Sequence, residues 1–494
     1  MKPMSRPMPR VLLTLPVVFL LYFFNLTSVG LLGPDEPRYA SIARGMARSG
    51  DWITPRLWGQ PWFEKPALLY WIEALAFRLS LGEELAPRLP VALTSVAFLL
   101  FFFWILRREF GERAAGFATA ILATSAGWVA FSHIGVTDIP MAAAFSAAML
   151  VSAGWIERGE RNWLSAAAAF LGLAVLAKGL VPVVLAIPMA VFAGKRLLDW
   201  LRPQVLAAFL VVALPWYVLA FLRNGQPFLE QFFWHHQVER FSSDALMHGQ
   251  PFWFLIPVLV AALFPWIPAV GLLFRAHFYS DRRRKFLLLL VVFGLAFFSV
   301  SRNKLPGYVL PLVPPLAALA GIALAEAKSG ARWVLVTSAG LLVLVPAIAA
   351  ILPVALASGI SRAPLPAVHW TWLLPLTAAA VVWYFDGRGL CAGAVLLLVL
   401  AITADVVMIE TRTFPVLDRL ASARPLWYTV APVSDRACVA RLHRSLRYGL
   451  NYYSVTPLPD CHAAPREIEI TQDPGAQPRL VNAVAVPANY GTTR

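Results

Sequence analysis

LLGPDEPRYASIARGMARSGDWITPRLWGQPWFEKP, residues 31–66, is the stretch that decides how this chain folds and where it could do chemistry. It follows the first apolar run and contains the acidic pair Asp35-Glu36 and the acidic–basic pair Glu64-Lys65. Polar groups held against a bilayer are costly unless they are paired, hydrated or engaged with a substrate. The stretch therefore predicts the floor of an active site at a membrane surface.

The rest of the chain is mostly apolar. Hydrophobic residues make up 59% and charged residues 14% of the 494 residues, whereas soluble domains carry about 25% charged residues. The apolar residues come in blocks of membrane-spanning length, which predicts an all-α integral membrane protein with about thirteen spans. The predicted spans are 11–29, 86–106, 114–131, 139–155, 163–176, 180–192, 205–221, 252–274, 286–300, 308–324, 333–356, 370–385 and 390–408.

The net charge of +15 has two possible explanations, nucleic-acid binding or membrane orientation. Most arginine clusters lie in short loops between apolar runs, which is typical of cytoplasmic loops, so the pattern favours orientation and argues against nucleic acid. A cytoplasmic N-terminus and an odd number of spans place the C-terminus in the periplasm. All the unusual polar clusters then share the outer face, and they lie in 31–85, 132–138, 178, 224–250 and 301–307.

Two domains are predicted. Residues 1–409 form a transmembrane catalytic domain with periplasmic loops at 31–85 and 224–250. Residues 37–47 read as a short helix of the first loop, and 68–81 as a helix lying on the membrane. Residues 410–494 have an ordinary soluble composition and predict a small α/β domain. Its expected elements are a helix at 437–449 and strands at 467–471 and 480–486.

The tail also contains two cysteines, Cys438 and Cys461. If the tail is exported, they could form a disulfide, because disulfides persist in oxidising compartments. Two unrelated free thiols are the alternative.

Asp35, in GPDEPR, and Asp138, in SHIGVTDIP, each lie beside a predicted span at the outer face. A carboxylate there could act as a general base. Each could equally cap a helix, which for one motif alone is the more frequent role of such a residue. Two carboxylates at one membrane face favour a shared site more than either does alone.

Cations come from separate loops to the same face. Lys65, Lys178 and the hydroxyl of Tyr308 in SRNKLPGY could bind an anionic group such as a phosphate. Contact with lipid headgroups is the alternative, and Glu64-Lys65 could be a simple salt bridge. In HHQVER, His235 and a carboxylate from another loop could bind zinc, although two ligands make a weak metal signal. The chain has no Walker loop or dinucleotide fingerprint, so a nucleotide site has no support.

The motifs GPDEPRYA, PWFEKP, VTDIP, HHQVER and NKLPGY together resemble those of the lipid A aminoarabinose transferases, which are related to the protein O-mannosyltransferases. The resemblance implies a GT-C fold, a polyprenyl-phosphate-linked sugar as donor, and transfer at the periplasmic face of the bacterial inner membrane. It implies catalytic roles for Asp35 and Asp138, and a divalent metal such as zinc at Glu64 and His235. The positions that it assigns to the donor phosphate are Arg38, Lys65, Lys178, Arg240 and Tyr308.

The resemblance therefore implies a glycosyltransferase that moves a sugar from undecaprenyl phosphate to a lipid A phosphate. The sugar that it favours is 4-amino-4-deoxy-L-arabinose. An enzyme of the same fold with another sugar or acceptor, a protein or a different glycan, is the first alternative. A polytopic lipid or solute transporter is the second. It would place charges in mid-helix and show an internal repeat, and the sequence shows neither.

Overall fold

The computed structural model describes residues 8–232, 234, 249–327, 331–473 and 475–482, with the backbone alone for 8–13. Within them most residues are helical. The α-helices are Met8–Tyr22, Asp35–Ser49, Leu68–Arg78, Leu85–Phe110, Glu112–Thr124, Ala126–Ser132, Asp138–Arg158, Leu164–Lys178, Val181–Leu185, Ile187–Ala193, Pro203–Asn224, Gln226–Leu229, Leu255–Ala262, Arg282–Val300, Val313–Glu326, Ala331–Leu341, Val345–Ser358, Pro375–Gly387, Cys391–Met408, Phe414–Ala421, Arg424–Val430 and Arg444–Tyr453.

Short 3-10 helices extend or join several of these. They are Gly194–Leu201, Ile267–Phe274, Ala276–Ser280, Pro306–Leu312, Leu342–Leu344, Ile360–Arg362, Trp370–Leu373 and Ala431–Arg436, and a π-helix spans Ile409–Thr413. The strands are Arg56–Leu57, Gln60–Pro61, Ala437–Arg441, Ile468–Thr471 and Arg479–Asn482.

Seven helical segments of the described chain are long and apolar enough to cross a membrane, and the number rises to nine if two bent pairs each count as one span. The protein is thus a multi-pass helical membrane protein, as the sequence predicts. The figure of about thirteen spans stays a prediction. The seven segments are Leu85–Phe110, Asp138–Arg158, Val181–Leu201, Pro203–Asn224, Pro306–Glu326, Ala331–Ser358 and Cys391–Ala421.

Several predicted spans differ from the structure in detail. The run 252–274 is not one straight helix, since Leu255–Ala262 and Ile267–Phe274 meet at 108°. Pro265 and Pro268 lie at this break, and proline removes a backbone donor and clashes with the preceding turn. The run 11–29 is helical only to Tyr22, after which the chain turns toward the first loop.

Two helices form the centre of the molecule and both begin at the same end. Asp138–Arg158 and Pro306–Glu326 are the most buried spans, with 94% and 89% of their apolar windows inside the protein. Asp138 is the first residue of one, and Tyr308 lies in the first turn of the other. The fold therefore brings residues 170 positions apart in the sequence to one face.

The opposite end of the bundle is rich in arginine. The carboxylate of Glu109 pairs with Arg158 (2.7 Å) and Arg283 (3.2 Å), which come from different helices. Asp138 and Arg158 are the two ends of one 21-residue helix, so these faces lie about 30 Å apart, one hydrocarbon thickness.

The described part of the C-terminal tail, residues 410–473 and 475–482, packs on the first loop. Arg424 pairs with Glu84 (2.8 Å), and the hydroxyl of Tyr453 lies 3.0 Å from the same carboxylate. The backbone N–H of Gly30 donates to Asp418 Oδ1 (2.7 Å). These contacts join two segments that lie 340 to 388 residues apart in the sequence.

Within the tail, Ala437–Arg441 pairs in parallel with Ile468–Thr471, which pairs antiparallel with Arg479–Asn482. The predicted helix at 437–449 is therefore wrong in its first half, since Ala437, Cys438 and Val439 are fully buried in a strand. The helix begins only at Arg444, after His443, which accepts a capping bond from Ser445 N–H. Cys438 and Cys461 form a disulfide. The predicted strand at 480–486 is described only to Asn482.

Candidate active site

The first loop is anchored by a buried ion pair. Arg88 donates to both carboxylate oxygens of Glu36 (2.7 and 2.9 Å), and the Glu36 side chain is fully buried. Arg88 also donates to the backbone carbonyls of Leu26, Val29 and Gly30, where the chain leaves the first helix. The two adjacent acidic residues therefore have different roles. Glu36 fixes the loop through Arg88, whereas Asp35 takes no part in this ion pair.

Asp35 begins the helix Asp35–Ser49, here called the loop helix. Neither Asp35 nor Asp138 is a helix cap, since the capping positions are Pro34 and Thr137 and neither helix has a side-chain capping bond. The capping interpretation left open by the sequence is therefore wrong for both. Pro37 in the first turn and Gly50 (φ 73°) at the end do delimit the loop helix as predicted, although it is longer than 37–47.

Both carboxylates line one cavity of about 270 Å³, here called the site cavity. The predicted site residues that line it are Asp35, Lys65, Asp138, Lys178 and Tyr308. They come from five separate segments of the chain. The remaining wall is largely apolar.

Behind the site cavity lies a chain of ion pairs. Arg38 Nη2 contacts Asp35 Oδ1 (2.6 Å) and Glu64 Oε2 (2.8 Å), and Lys65 Nζ lies 3.4 Å from Glu64 Oε1. Burial alone would lower the pKa of Arg38, but the carboxylates of Glu64 and Asp35 outweigh it and raise that pKa. Arg38 is thus a permanent buried cation that holds both carboxylates in place.

A second pair closes the cavity from the central helices. Lys178 Nζ donates to Asp138 Oδ1 (2.5 Å) and lies 5.4 Å from the centre of the Tyr308 ring. Gly307 makes this possible, because a Cβ there would overlap Asp138 Oδ1 and lie 2.8 Å from its Cγ. The glycine of NKLPGY therefore lets the backbone approach Asp138 closely.

Two buried tyrosines, Tyr39 and Tyr70, pack edge to face beside these ion pairs, 5.8 Å apart. Burial raises the pKa of each hydroxyl well above its usual range, and the nearby carboxylates raise it further. Both therefore stay protonated at neutral pH. Tyr39 lines the site cavity, and its place directly after Arg38 in GPDEPRYA is the only sequence signal for it.

Sequence reasoning also missed Tyr448, which belongs to the tail. Its ring lies 5.4 Å from the Arg38 guanidinium and stacks on Trp58 at 5.6 Å. Trp62 faces the same guanidinium at 5.5 Å. Aromatic faces attract cations, so the tail reaches the residues behind the site cavity. The aromatic-rich segment YGLNYY is the one feature of the tail sequence that could have indicated this contact.

The predicted metal site is only half described. His235, and Arg240 of the phosphate-binding set, lie outside the described residues. In the described part of the chain no three His, Cys, Asp or Glu side chains converge as metal ligands do. The Glu64 carboxylate lies between Arg38 and Lys65, and two flanking cations disfavour a third. The described residues on their own do not fit a metal.

The arrangement suits transfer of a group between anionic molecules at a membrane surface. Two carboxylates and two ammonium groups face one cavity, and Tyr308 adds a hydroxyl. Ammonium groups can stabilise a leaving phosphate. The Asp35 side chain is 40% exposed, against 15% for Asp138. Asp35 is therefore the more accessible of the two carboxylates to an incoming substrate.

Comparison with known proteins agrees with the motifs. Residues 64–221 match the family model described as dolichyl-phosphate-mannose-protein mannosyltransferase. An undecaprenyl phosphate-alpha-4-amino-4-deoxy-L-arabinose arabinosyl transferase of Pseudomonas fluorescens is 34% identical over 323 residues, 62% of this chain and 54% of the relative. The corresponding Pseudomonas aeruginosa enzyme is 33% identical over 339 residues, 65% of this chain and 61% of the relative. The chain thus spans little more than half the length of these curated relatives.

The fold has solved counterparts. The crystal structure of ArnT from Cupriavidus metallidurans bound to undecaprenyl phosphate matches 98% of this chain and all of that chain, with a TM-score of 0.73 and 24% identity. The apo structure of the same protein matches 95% of this chain and 87% of that chain, with a TM-score of 0.73 and 25% identity. The predicted resemblance to the aminoarabinose transferases and the wider mannosyltransferase family is confirmed, as is a helical membrane fold of the GT-C type.

Proposed function

We propose that this relative of the aminoarabinose transferases is itself a membrane glycosyltransferase. It moves 4-amino-4-deoxy-L-arabinose from undecaprenyl phosphate to a phosphate of lipid A. The observation that carries the proposal is the site cavity, in which Asp35, Lys65, Asp138, Lys178 and Tyr308 meet from five segments. The relatives whose names contain this donor, and the likeness to ArnT bound to undecaprenyl phosphate, support the choice of donor.

In the proposed reaction a phosphate oxygen of the acceptor attacks the anomeric carbon of the sugar. The new bond forms as the bond to the carrier's phosphate breaks, and undecaprenyl phosphate leaves with the electron pair. A phosphate acceptor needs little activation by a base. Asp35 and Asp138 therefore orient the acceptor or the amine of the sugar, and the hydrogen bond from Lys178 fixes Asp138 for that task.

The leaving phosphate is stabilised by Lys65 and Tyr308, together with Lys178, and on the sequence evidence also by Arg38 and Arg240. Within this set, the role proposed for Arg38 is indirect. Arg38 is 2% exposed and pairs with two carboxylates, so it acts on the phosphate through the position of Asp35 and Glu64. Preorganised cations of this kind commonly supply the largest part of catalysis.

The proposed location is the bacterial inner membrane, with the site cavity on the periplasmic side. The arginine-rich end of the bundle then faces the cytoplasm, as membrane proteins favour. Residues 410–494 form a small periplasmic α/β domain after a transmembrane domain at 1–409. The disulfide between Cys438 and Cys461 supports an oxidising compartment for the tail.

Zinc bound by Glu64 and His235 remains a separate prediction, and no step above depends on it. Such an ion would be held by the Glu64 carboxylate and the His235 imidazole. Elemental analysis of purified protein tests it, with Glu64→Gln and His235→Ala as paired variants. A zinc content that is already negligible in the parent protein contradicts it.

The proposal is tested with purified protein, undecaprenyl-phosphate-linked aminoarabinose and lipid A, followed by mass spectrometry of the lipid A. A pentosamine mass gain is expected, lost in Asp35→Asn. Lys65→Ala should slow transfer about a hundredfold, the effect of removing about 3 kcal/mol of charge stabilisation. No mass gain with folded protein rejects this donor and acceptor, and other polyprenyl-linked sugars are then tried. Unchanged turnover of Lys65→Ala rejects its role at the phosphate.

A further inference from the structure

A second cavity, of about 220 Å³, lies at the outer face beside the loop helix. It is here called the arginine cavity, since its lining includes Arg44, Arg48 and Arg56. The described lining contains no carboxylate. The sequence analysis assigned no role to these three arginines, and the proposed reaction uses none of them.

The arginine cavity is built around one fixed guanidinium. Arg44 is 5% exposed and donates to Glu83 Oε2 (2.5 Å) and to the carbonyl oxygen of Tyr452 (2.6 Å). Its guanidinium lies 4.2 Å from the centre of the Tyr452 ring. The tail therefore holds Arg44 in place, so a ligand would not have to order this side chain on binding.

The local charge is positive. Glu83 offsets Arg44, and Asp51 lies 2.8 Å from Arg223 Nη1 and 3.8 Å from Arg56 Nε. Arg48 is exposed, and no described carboxylate is paired with it within 4 Å. Guanidinium groups of this kind suit phosphate because they can bind two of its oxygens at once.

The arginine cavity is a neighbour of the site cavity. Trp58 lines the arginine cavity and stacks on Tyr448. The Tyr448 ring lies 5.4 Å from the Arg38 guanidinium, and Arg38 pairs with Asp35 of the site cavity. Both cavities also use the loop helix. At about 1.5 Å per residue, Arg44 and Arg48 lie roughly 13–20 Å along this helix from Asp35. This spacing is compatible with one acceptor that carries two phosphates on a core of disaccharide size or larger.

We propose that the arginine cavity is an acceptor subsite, which binds a second phosphate group of the glycolipid while the first receives the sugar. The inference rests on the proposed function and adds a substrate requirement to it, an acceptor with two phosphates. The subsite selects the bisphosphorylated glycolipid over the monophosphorylated one. It also fixes the acceptor so that the reacting phosphate faces Asp35.

The test measures the Kd of bisphosphorylated and monophosphorylated lipid A for the purified protein in neutral nanodiscs, with no donor present. The parent protein should bind the bisphosphorylated form about tenfold more tightly, the effect of one charge-assisted contact. Arg48→Gln and Arg56→Gln should each reduce this preference, and the double variant should remove it. Arg78→Gln is the matched control, an exposed arginine at the same surface outside the cavity lining.

Two further arms identify what the arginine cavity recognises. In the parent protein, inorganic phosphate should weaken binding of the bisphosphorylated form and leave binding of the monophosphorylated form unchanged. In the double variant it should weaken neither. Phosphatidylglycerol in the nanodisc should leave the preference intact. If it abolishes the preference instead, the cavity binds bilayer headgroups and the proposal is wrong. Equal binding of the two glycolipids by the parent protein also overturns it.

The transfer assay separates this inference from the proposed function. In the double arginine variant KM for the bisphosphorylated acceptor should rise about tenfold while kcat holds, and KM for the monophosphorylated acceptor should not change. A lower kcat with unchanged KM contradicts an acceptor subsite. If no acceptor is modified but the binding preference persists, the proposed function fails and the anion subsite stands.

Discussion

At the scale of single residues, the geometry around Asp138 depends on the absence of a side chain at Gly307. A Cβ added there would collide with the Asp138 carboxylate and lie 3.1 Å from Phe131 Cε1. Asp138 is also held by Lys178, so it cannot simply move away. The smallest possible change at position 307 therefore acts on a residue of the site cavity.

Gly307→Ala should lower kcat about a hundredfold, because a shift of about 1 Å in a positioned group has effects of that size. The clash should also lower its thermal midpoint, by the equivalent of about 1–3 kcal/mol, so kcat is compared per folded protein. Gly340→Ala is the control, since a Cβ at this helical glycine meets nothing within 4 Å. Equal activity of the two variants would show that Asp138 does not need its present position.

Glu73 is a second residue whose surroundings have a measurable consequence, the pH dependence of stability. It is fully buried in the helix Leu68–Arg78, and neither carboxylate oxygen has a hydrogen-bond partner in the described structure. Burial raises its pKa well above the usual range, and the neighbouring Glu36 raises it further. The folded protein therefore keeps Glu73 protonated where the unfolded chain ionises it. The free energy of unfolding therefore decreases as pH rises from about 4.3, the pKa of glutamate in the unfolded chain, toward the higher pKa of Glu73 in the folded protein.

Glu73→Gln should remove this pH dependence. Between the unfolded-state and folded-state pKa values of Glu73, this group lowers the free energy of unfolding of the parent protein by up to about 1.4 kcal/mol per pH unit. The variant should therefore become more stable relative to the parent protein as pH rises. Thermal midpoints between pH 5 and 8 measure the difference. Glu112→Gln, whose side chain is 66% exposed, should show no such trend. Parallel curves for Glu73→Gln and the parent protein would contradict a buried neutral carboxyl.

At the scale of secondary-structure elements, the first loop is positioned by the Glu36–Arg88 pair. Arg88 lies in the span Leu85–Phe110 and reaches across to the chain that leaves the first helix. Its five donor contacts satisfy one carboxylate and three carbonyl groups. This pair therefore connects a membrane span, the end of the first helix and the start of the loop helix.

Arg88→Gln should destabilise the protein by about 3–5 kcal/mol, because it leaves a buried carboxylate without its partner. The expected result is a lower thermal midpoint and a smaller folded fraction in size-exclusion chromatography. Adding Glu36→Gln should recover part of the loss, since the unpaired charge is then removed. Arg107→Gln, whose side chain is 61% exposed, serves as the control. A midpoint like that of the control would show that the pair does not anchor the loop.

At the scale of the whole molecule, the tail and the first loop form one outer surface. The disulfide between Cys438 and Cys461 closes a loop across a sequence separation of 23 residues within the tail. A cross-link of that size stabilises by about 3 kcal/mol. Tyr448 of the tail packs against Arg38, so the position of Arg38 behind the site cavity depends on an ordered tail.

Peptide mapping of unreduced protein should find Cys438 and Cys461 in one linked pair, which separates on reduction. Cys391, buried and free, should appear as a single alkylated peptide after denaturation. The variant with serine at both tail cysteines should be cleaved faster by protease in the tail. Alkylation of both tail cysteines in the unreduced protein would contradict an exported, oxidised tail.

Much of this architecture follows from the sequence. Runs of apolar residues predict spans because the bilayer leaves few alternatives to a helix, and the motif residues predict which face holds the chemistry. Residues 437–449 show the limit, since Ala437-Cys438-Val439 suits a helix or a strand and only pairing with Ile468–Thr471 decides between them. The break within 252–274 was foreseeable from its prolines, but its 108° angle was not.

By itself, the sequence determined the membrane class, the shared face of Asp35, Lys65, Asp138, Lys178 and Tyr308, and the resemblance of their motifs to a transferase family. These are properties of composition and local pattern. Only the tertiary structure decided that Asp35 and Asp138 are not helix caps, that Lys178 pairs with Asp138, and that the tail and the loop helix enclose an arginine cavity. Such contacts join residues 40 to 410 positions apart, and no local pattern specifies the partner of a side chain across that distance.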